Sequence, residues 1–345
     1  MNIIENIIID DNMYLKLLHL LREKTGLNFE YYRRAFIEKR IKSRMIRVNS
    51  RTLNEYYDYL LSKDGEVKKF VDGFTINYTF FFRDYDVFET FQDFFIDGLN
   101  VNKGEIQSNI KPDPNKLAKF SSKANRARAM MIENGLKNRP GSNYVDIFIF
   151  LNQLSFYRKI LDAKNKKNKI HIWSCPCATG EEPYSIAMIL DNLEQQVKDF
   201  PQYKIVASDI AQEAINKAKR GVYSDDSMKE ISDYYQNKYF TRKSTHFGHE
   251  NIINERIKDK VDFVLEDVTK GHKKPYKYDI IFCRYLLIYF NRQNRNRFLH
   301  IMENQLEENG ILILGKTETL FNEFGSLKQV DSRNHIYIKS KNRIY

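Results

Sequence analysis

The sequence predicts an α/β fold, in which a doubly wound and mostly parallel sheet follows an all-α N-terminal domain. From residue 170 onward, short apolar runs alternate with amphipathic segments. The runs that fit strands are "KIHIWSC", "YKIVASD", "VDFVLED", "YDIIFCR", "GILILG" and "HIYIKS", and helices fit 182–198, 211–220 and 293–308. Such alternation is typical of parallel strands joined by crossover helices. The last two runs have no strong helix between them, which favours a hairpin at one edge of the sheet.

The N-terminal part, from residue 12 to about 76, is predicted to be helical throughout. The stretches "DNMYLKLLHLLREKTG", "YYRRAFIEKRIKSRMIRV" and "TLNEYYDYLLSKDG" place apolar residues at helical spacing, and Gly26 follows the first of them as a stop signal. We therefore expect a helical domain over residues 1–76 and the α/β domain over 77–345.

Two segments depart from the α/β alternation. Residues 99–144 are polar and basic, contain three of the seven prolines and lack sustained periodicity, which indicates an exposed insertion. Residues between Tyr223 and Lys260 also break the pattern and are predicted to form a small excursion from the sheet.

Composition limits the partners and the compartment. The net charge of +11 suggests an acidic partner, which could be nucleic acid, an anionic membrane face or an acidic protein, although compositional bias explains it equally well. No apolar run approaches the length of a membrane span, and the N-terminus lacks the pattern of a signal peptide. Three cysteines cannot form a disulfide framework, so we expect a cytoplasmic protein.

The cysteines are also poor candidates for a metal site. Cys175, Cys177 and Cys283 include no Cys-x-x-Cys pair, and strand alternation places His171 on the face opposite Ile172. We therefore expect no metal and interpret the cysteines as small buried thiols.

The most informative stretch is "IHIWSCPCATGEEPYSIAMIL", which predicts a strand, a tight loop and a helix. Thr179 and Glu182 have capping-box spacing, so the helix should begin near Glu181. Helix N-termini usually attract phosphate, but two adjacent carboxylates would repel a pyrophosphate. They suit a ligand with hydroxyls, an amino group and positive charge, and S-adenosylmethionine fits that description. The alternative is that the two acids only complement the helix dipole.

Two further acids stand at the ends of predicted strands. Asp209 ends "IVASD", where an acid can accept hydrogen bonds from ribose hydroxyls, and Asp267 ends "VDFVLED", within reach of an adenine. Each of them alone could be a turn or cap residue. Together with the acids of the loop, they support a nucleoside ligand at one edge of the sheet.

Four motifs carry a family resemblance. The stretches "INYTFFFRD", "WSCPCATGEEPYSIAM", "ASDI" and "IIFCRYLLIYF" closely resemble the CheR-type chemotaxis receptor methyltransferases, over nearly the whole chain apart from residues 99–144. The resemblance implies a Rossmann-like class I S-adenosylmethionine-dependent methyltransferase domain after the helical domain. It also implies a small antiparallel β subdomain at about 227–262, and methyl esterification of glutamate side chains on methyl-accepting chemotaxis receptors. We expect a monomer that neither inserts into a membrane nor binds nucleic acid.

The resemblance assigns cofactor contacts to the first two motifs. In "NYTFFFRD" it implicates Asn77, Thr79 and Arg83 in contacts with cofactor and substrate. In the loop it favours Glu181 as the cofactor contact and Glu182 as the cap, without separating the two firmly.

The later motifs supply the remaining site residues. Asp209 matches the ribose acid, and Asp267 and Val268 stand where the family has an Asn-Leu pair flanking the adenine. Tyr285 replaces the family's usual Asn, so we expect its cofactor contact to run through the backbone. The catalytic candidates implied by the resemblance are Arg83, Arg284 and Tyr289.

A basic stretch suggests how the substrate docks. Between Tyr31 and Arg51 there are eight Lys and Arg residues and one acid. On a helix, Arg33, Arg40, Arg44 and Arg47 fall within about 60° of one another and form one basic face. The resemblance implies that this helix meets the acidic methylation region of the receptor. The alternative is that the four arginines form an ordinary solvated face of the helix.

Two other functions compete with this prediction. The basic charge would suit a nucleic-acid methyltransferase, but the sequence lacks an Asn/Asp-Pro-Pro-aromatic motif for amino-group methylation. A regulatory adaptor that binds the cofactor without transferring the methyl group is the other alternative. The intact Asn77, Arg83, Arg284 and Tyr289 argue against the adaptor.

Overall fold

The computed structural model describes residues 9–63, 65–74, 78–100, 156, 159–160, 162–163, 168–246, 248–271, 275–320 and 326–340. Asn77 and all but the first two residues of the predicted insertion at 99–144 lie outside this description. The predicted domain boundary at 76–77 lies outside it as well.

The N-terminal domain is helical, as predicted. Its helices are α1 (Asp11–Thr25), α2 (Arg34–Arg47), α3 (Leu53–Ser62) and α4 (Glu66–Phe74). A short 3₁₀ helix, Phe29–Tyr31, connects the first two. Apolar side chains at helical spacing, among them Leu17, Ile37 and Phe70, pack into one core of buried residues, which is what an amphipathic face on each helix requires.

The second domain is an α/β sandwich. After α5 (Tyr85–Asn100), its strands are β1 (Ile170–Ser174), β2 (Tyr203–Asp209), β3 (Val222–Tyr223), β4 (Phe240–Thr245), β5 (Gly248–Ile253), β6 (Val261–Leu265), β7 (Tyr278–Cys283), β8 (Leu306–Leu314), β9 (Leu327–Asp331) and β10 (Ile336–Lys339). The helices between them are α6 (Glu181–Gln196), α7 (Gln212–Arg220), α8 (Asp233–Tyr239), α9 (Glu255–Lys258) and α10 (Arg292–Gln305).

The main sheet is doubly wound, which confirms the predicted fold class. Its seven strands have the order β6-β2-β1-β7-β8-β10-β9, and β10 is antiparallel to both of its neighbours. Ile172 packs on one face with α6, and Trp173 packs on the other with α10. The antiparallel pairing predicted for "GILILG" and "HIYIKS" is confirmed as β8 with β10. The pair does not lie at the edge of the sheet, because the edge strand is β9, which was not predicted since "LKQVD" is short and has few apolar residues.

A second, three-stranded antiparallel sheet has the order β3-β5-β4. It begins at Val222, earlier than the predicted bound of 227, and its last strand ends at Ile253. The strand that starts at Val261, near the other predicted bound, pairs with β2 in the main sheet instead.

The two domains meet through a short backbone contact. Tyr32 forms an isolated antiparallel bridge with Phe290. The Arg33 amide donates to the Tyr289 carbonyl at 2.8 Å, and the Asn291 amide donates to the Tyr31 carbonyl at 3.1 Å. The start of α2 is therefore tied to the segment that follows β7.

One of the four predicted docking arginines, Arg44, forms an ion pair inside the helical domain. The Arg44 guanidinium makes two hydrogen bonds to the Glu66 carboxylate, at 2.8 and 2.6 Å, and the Tyr56 hydroxyl donates to the same carboxylate at 3.0 Å. The side chains of Arg44 and Glu66 are 11% and 3% exposed. Arg44 is thus removed from the predicted basic face, because helical spacing alone does not reveal a buried partner on another helix.

We predict that Glu66→Ala destabilises the helical domain. The variant leaves the Arg44 guanidinium buried without its partner, which should lower the free energy of unfolding by about 3 kcal/mol. Urea unfolding followed by circular dichroism measures this. Lys68→Ala is the control, since it breaks an exposed pair with Glu213 and should change the midpoint little. Equal midpoints for the two variants would contradict the prediction.

Candidate functional site

Two adjoining cavities lie at the carboxyl edge of the parallel strands, where ligands of doubly wound sheets bind. They have volumes of about 550 and 760 Å³ and share the walls Pro176, Ala178, Tyr285 and Tyr289. We call the first the aromatic cavity, which is also lined by Tyr32, Phe36, Phe74, Asp209, Ile210, Val268 and Leu286. We call the second the polar cavity, which is also lined by Tyr78, Thr79, Phe80, Arg83, Phe88, Cys177, Glu182, Arg284 and Ile288.

Asp209 is the acid of the aromatic cavity. Its carboxylate accepts from the amides of Ala178 and Ala211 at 2.9 and 3.0 Å. Burial raises the pKa of this carboxyl to about 6, against the opposing effect of these amides. A carboxylate has about four acceptor positions, so Asp209 retains acceptor capacity for the hydroxyls of a ligand.

Asp267 and Val268 follow β6, which is the neighbour of β2 in the sheet. Val268 lines the aromatic cavity. The Asp267 carboxylate instead caps a short 3₁₀ helix, because it accepts from the amide and the hydroxyl of Thr269 at 3.0 and 2.6 Å. Asp267 therefore acts as a cap residue, which was one of the two interpretations that the sequence allowed.

The first turn of α6 separates the two adjacent glutamates. Helix α6 begins at Glu181, as expected, but Thr179 does not cap it. The Thr179 hydroxyl donates to the Glu181 carboxylate at 2.6 Å, and Ser227 donates to it at 3.2 Å. Glu182 faces the other way, lines the polar cavity and accepts from Ser174 at 2.8 Å. The structure thus places Glu182 at a cavity, while Glu181 lines neither of the two cavities, so this geometry favours Glu182 as the ligand contact over the predicted Glu181.

Arg284 lies at the centre of the polar cavity and is almost fully buried. Its guanidinium pairs with the Asp84 carboxylate, pairs with Glu182 at 3.2 Å and donates to the Arg83 carbonyl at 2.9 Å. Burial raises the pKa of Glu182, and the positive charge of Arg284 opposes that shift. Asp84 was not predicted to be a site residue, although it is the last residue of the motif "NYTFFFRD".

Arg83 also lines the polar cavity. Its guanidinium lies 3.6 Å from the Tyr285 ring centroid and donates to the Tyr78 carbonyl at 2.7 Å. Within the described residues, Arg83 forms no ion pair with a carboxylate. A planar guanidinium held by stacking, with no carboxylate in direct contact among the described residues, is suited to bind a carboxylate ligand.

Tyr285 occupies a strained position between the two cavities. It has a positive φ of 62°, its hydroxyl donates to Asp84, and its amide donates to the Glu318 carboxylate at 2.7 Å. Its ring lines both cavities. The Tyr285 amide is therefore already bonded, so the predicted backbone contact with the cofactor would have to use the carbonyl, and the side chain is also available at both cavities.

Glu318 is the second residue that the sequence reading missed. This buried carboxylate accepts from the amides of Tyr285, Leu287 and Gly315 at 2.7, 2.7 and 2.8 Å. It thereby holds the loop that carries Arg284 and Tyr285. An acid shortly after a strand end, in "LGKTETL", was the available signal.

The remaining predicted docking residues lie near the aromatic cavity. Arg33 precedes α2, and its Nε donates to the Phe290 carbonyl at 3.1 Å. The Arg40 guanidinium lies 5.0 Å from the Phe36 ring centroid, and that ring packs at 4.6 Å against Tyr289. Arg47 is exposed in the last turn of α2.

Two family models match the chain. The model described as CheR methyltransferase, SAM binding domain, matches residues 150–336, and the model described as CheR methyltransferase, all-alpha domain, matches residues 12–75. The chain belongs to the CheR methyltransferase family. It is therefore an S-adenosylmethionine-dependent methyltransferase of chemotaxis, and the nucleic-acid alternative is not favoured.

Curated relatives agree over most of the chain. It is 26% identical to chemotaxis protein methyltransferase 2 of Vibrio cholerae, covering 91% of this chain and 88% of that protein. It is 25% identical to the chemotaxis protein methyltransferase of Borreliella burgdorferi, covering 91% and 90%. Among solved structures, the glycopeptide N-methyltransferase MtfA complexed with (S)-adenosyl-L-methionine aligns with a TM-score of 0.26 and 8% identity, covering 42% of this chain and 46% of that chain. A likeness this weak carries no argument.

The cavity residues fit S-adenosylmethionine. Asp209 can accept from ribose hydroxyls, the apolar Ile210 and Val268 can flank a base, and Glu182 can face a positive charge. No group of three or more His, Cys, Asp or Glu with metal-binding geometry occurs among the described residues. In that same part of the chain, no helix is long and apolar enough to cross a membrane.

We predict that the binding of S-adenosylhomocysteine weakens as the pH falls through about 6. Below the raised pKa of Asp209, about 6, the carboxyl becomes protonated and loses acceptor capacity toward hydroxyls, so affinity at pH 5 should be about tenfold lower than at pH 7.5. Isothermal titration calorimetry at the two pH values measures the difference. Asp209→Asn should bind weakly with a flattened pH dependence, and an unchanged pH dependence in this variant would refute the assignment to Asp209.

Proposed function

We propose that this chain transfers the methyl group of S-adenosylmethionine to glutamate side-chain carboxylates of chemotaxis receptors and so forms methyl esters. One observation carries the proposal. The polar cavity adjoins the aromatic cavity and presents the Arg83 guanidinium, which has no carboxylate partner among the described residues, beside the compensated Arg284. A methyl acceptor that is itself a carboxylate supplies the missing anion.

The chemistry of such an acceptor matches the residues of the cavity. S-adenosylmethionine supplies a methyl group on a cationic sulfonium. A glutamate carboxylate is ionised near pH 7, so its oxygen can form the new O–CH₃ bond as the S–CH₃ bond breaks, with no proton to remove. Among the described residues, no histidine, the commonest general base, lines either cavity. What the protein must supply is therefore the position of the acceptor.

The two arginines divide this task. Arg83 binds and orients the acceptor carboxylate, while Arg284 holds Asp84 and Glu182 in place. A tight pair with Arg83 would also lower the nucleophilicity of the carboxylate, so its role is orientation and not activation. Tyr289, which lines both cavities, can donate its hydroxyl to the acceptor or the cofactor.

The proposed partners are the acidic helices of chemotaxis receptors. Arg33, Arg40 and Arg47 lie at the start, middle and end of one helical face and form the proposed docking surface, from which Arg44 is excluded. We propose a monomer as the working unit. The three cysteines are buried free thiols, which suits the reducing cytoplasm.

A transfer-deficient adaptor is the remaining alternative within the family. It would need the cofactor cavity but no site for an acceptor. The Arg83 guanidinium, which has no direct ion pair among the described residues, favours transfer. The two functions are separated by whether label moves from the cofactor to receptors.

We predict base-labile methylation of receptors that depends on Arg83. With tritiated S-adenosylmethionine and receptor-enriched membranes, label should enter receptor protein and be released as methanol in alkali, as expected of a carboxyl ester. Arg83→Ala should lower the rate at saturating cofactor about 100-fold, because the acceptor loses its planar two-point contact.

Lys229→Ala is the matched control for Arg83→Ala. The Lys229 ammonium lies 3.7 Å from the ring centroid of Phe80, which lines the polar cavity, but Lys229 itself does not line that cavity. Its loss should leave the rate near that of the wild type. Alkali-stable label, or equal rates for the two variants, would contradict the proposal.

We also predict that reversing charge on the docking surface weakens receptor methylation in a salt-dependent manner. The double variant Arg40→Glu, Arg47→Glu should raise the KM for receptor strongly at low salt and less near about 0.5 M, because salt screens exposed charges. Lys39→Glu, an exposed cation on another face of α2, controls for net charge. A loss of equal size at every ionic strength would argue against electrostatic docking.

A further inference from the structure

The aromatic cavity does not belong to the α/β domain alone. Three of its lining side chains, Tyr32, Phe36 and Phe74, come from the helical domain. They stand across the cavity from Asp209 and Val268, which belong to the α/β domain. The matched SAM binding domain spans residues 150–336, whereas the three aromatic residues fall within the matched all-alpha domain.

Tyr32 is the most firmly placed of the three. Its backbone bridges to Phe290, and the amide of the next residue donates to the Tyr289 carbonyl at 2.8 Å. Its ring meets Phe74 edge-on at a centroid distance of 4.6 Å and Phe290 at 5.1 Å. Edge-to-face packing on both sides fixes the orientation of the ring, so this wall is present before any ligand binds.

The surroundings of Tyr32 make its hydroxyl a donor. Burial, followed by the nearby negative charges of Asp267 and Asp209, raises the pKa of Tyr32, so the phenol keeps its proton. Within the described residues, no hydrogen bond of this hydroxyl to another protein group is found. A protonated phenol at the wall of a largely apolar cavity can therefore donate to a ligand acceptor.

We propose that Tyr32 is a cofactor-binding residue and that the helical domain forms one wall of the S-adenosylmethionine site. The ring packs against the adenosine, and the hydroxyl donates to one of its acceptor atoms. The cofactor site then spans both domains, and its integrity depends on the contact between residues 31–33 and 289–291. This inference concerns the cofactor alone and holds whatever the methyl acceptor is.

The proposal also places cofactor and docking surface in contact. Helix α2 starts at Arg34, directly after Tyr32 and Arg33. Phe36 lines the aromatic cavity on one side and lies under the Arg40 guanidinium on the other. A group bound at Arg40 and a cofactor bound in the cavity are therefore separated by a single ring.

The test is calorimetric binding of S-adenosylhomocysteine to the full chain, without receptor. Tyr32→Ala should raise the Kd at least tenfold, and Tyr32→Phe should raise it about two- to tenfold through the loss of one hydrogen bond. Tyr31→Phe is the matched control, because Tyr31 is the adjacent buried tyrosine and does not line either cavity. Its Kd should equal that of the wild type.

Thermal unfolding without ligand separates binding from folding. If Tyr32→Ala lowers the unfolding temperature, Tyr32→Phe, which keeps the ring packing, still tests the hydroxyl. Wild-type Kd values for both Tyr32 variants would overturn the proposal, even if the ligand-free protein were less stable. An equal rise in Kd for Tyr31→Phe and Tyr32→Phe would also overturn it, because it would indicate a general effect of the segment.

Discussion

The buried guanidinium of Arg284 is the constraint on which the site depends. It ties its own segment to two others. It binds Asp84 and the carbonyl of Arg83, which precede α5, and it binds Glu182 in the first turn of α6. Placing these charges out of water is costly unless each has its partner. The arrangement of the cavity is therefore stable only as a set, beside which Arg83 lines the same cavity.

Charge balance explains why two arginines are needed. Asp84 and Glu182 carry two negative charges and Arg83 and Arg284 carry two positive ones, so the four groups balance overall, although only Arg284 forms direct ion pairs with the two carboxylates. An acceptor carboxylate would compensate Arg83, and the sulfonium cation would face Glu182. The same cavity would be a poor site for a pyrophosphate, because Glu181 and Glu182 occupy the helix terminus that phosphates use elsewhere. Selection of a sulfonium nucleoside over a nucleotide thus follows from the electrostatics of one helical turn.

Several residues at the site also have strained backbone conformations that their neighbours must hold in place. Asp84, Ala178 and Tyr285 all have positive φ values, of 59°, 46° and 62°, although none of them is glycine. Each such conformation costs of the order of 1–3 kcal/mol and persists only where surrounding contacts impose it. For Tyr285 the contact is visible, because Glu318 binds its amide and the amide of Leu287. The strain keeps the ring between the two cavities, where it supports Arg83.

The sequence predicted the elements of this site better than their contacts. Strand periodicity and the acids at strand ends located the correct edge of the sheet, because both depend on local spacing. Whether Glu181 or Glu182 faces the ligand depends on Ser227, Ser174 and Arg284, which come from distant parts of the chain. Arg44 was misjudged for the same reason, since its partner Glu66 lies on another helix. A spacing argument defines a face of a helix, and only the fold decides what covers that face.

The domain boundary shows how far this limit reaches. From the sequence, docking was predicted for the helical domain and cofactor binding for the α/β domain, on the basic face, the acids at strand ends and the family resemblance. The structure joins them at Tyr32, which follows a 3₁₀ helix and has no periodic pattern of its own. A sequence motif cannot predict that such a residue lines the cavity, because its position depends on a backbone bridge to Phe290, which is distant in the chain. Where two domains enclose one cavity, substrate docking and cofactor binding share side chains, and neither activity can be assigned to one domain alone.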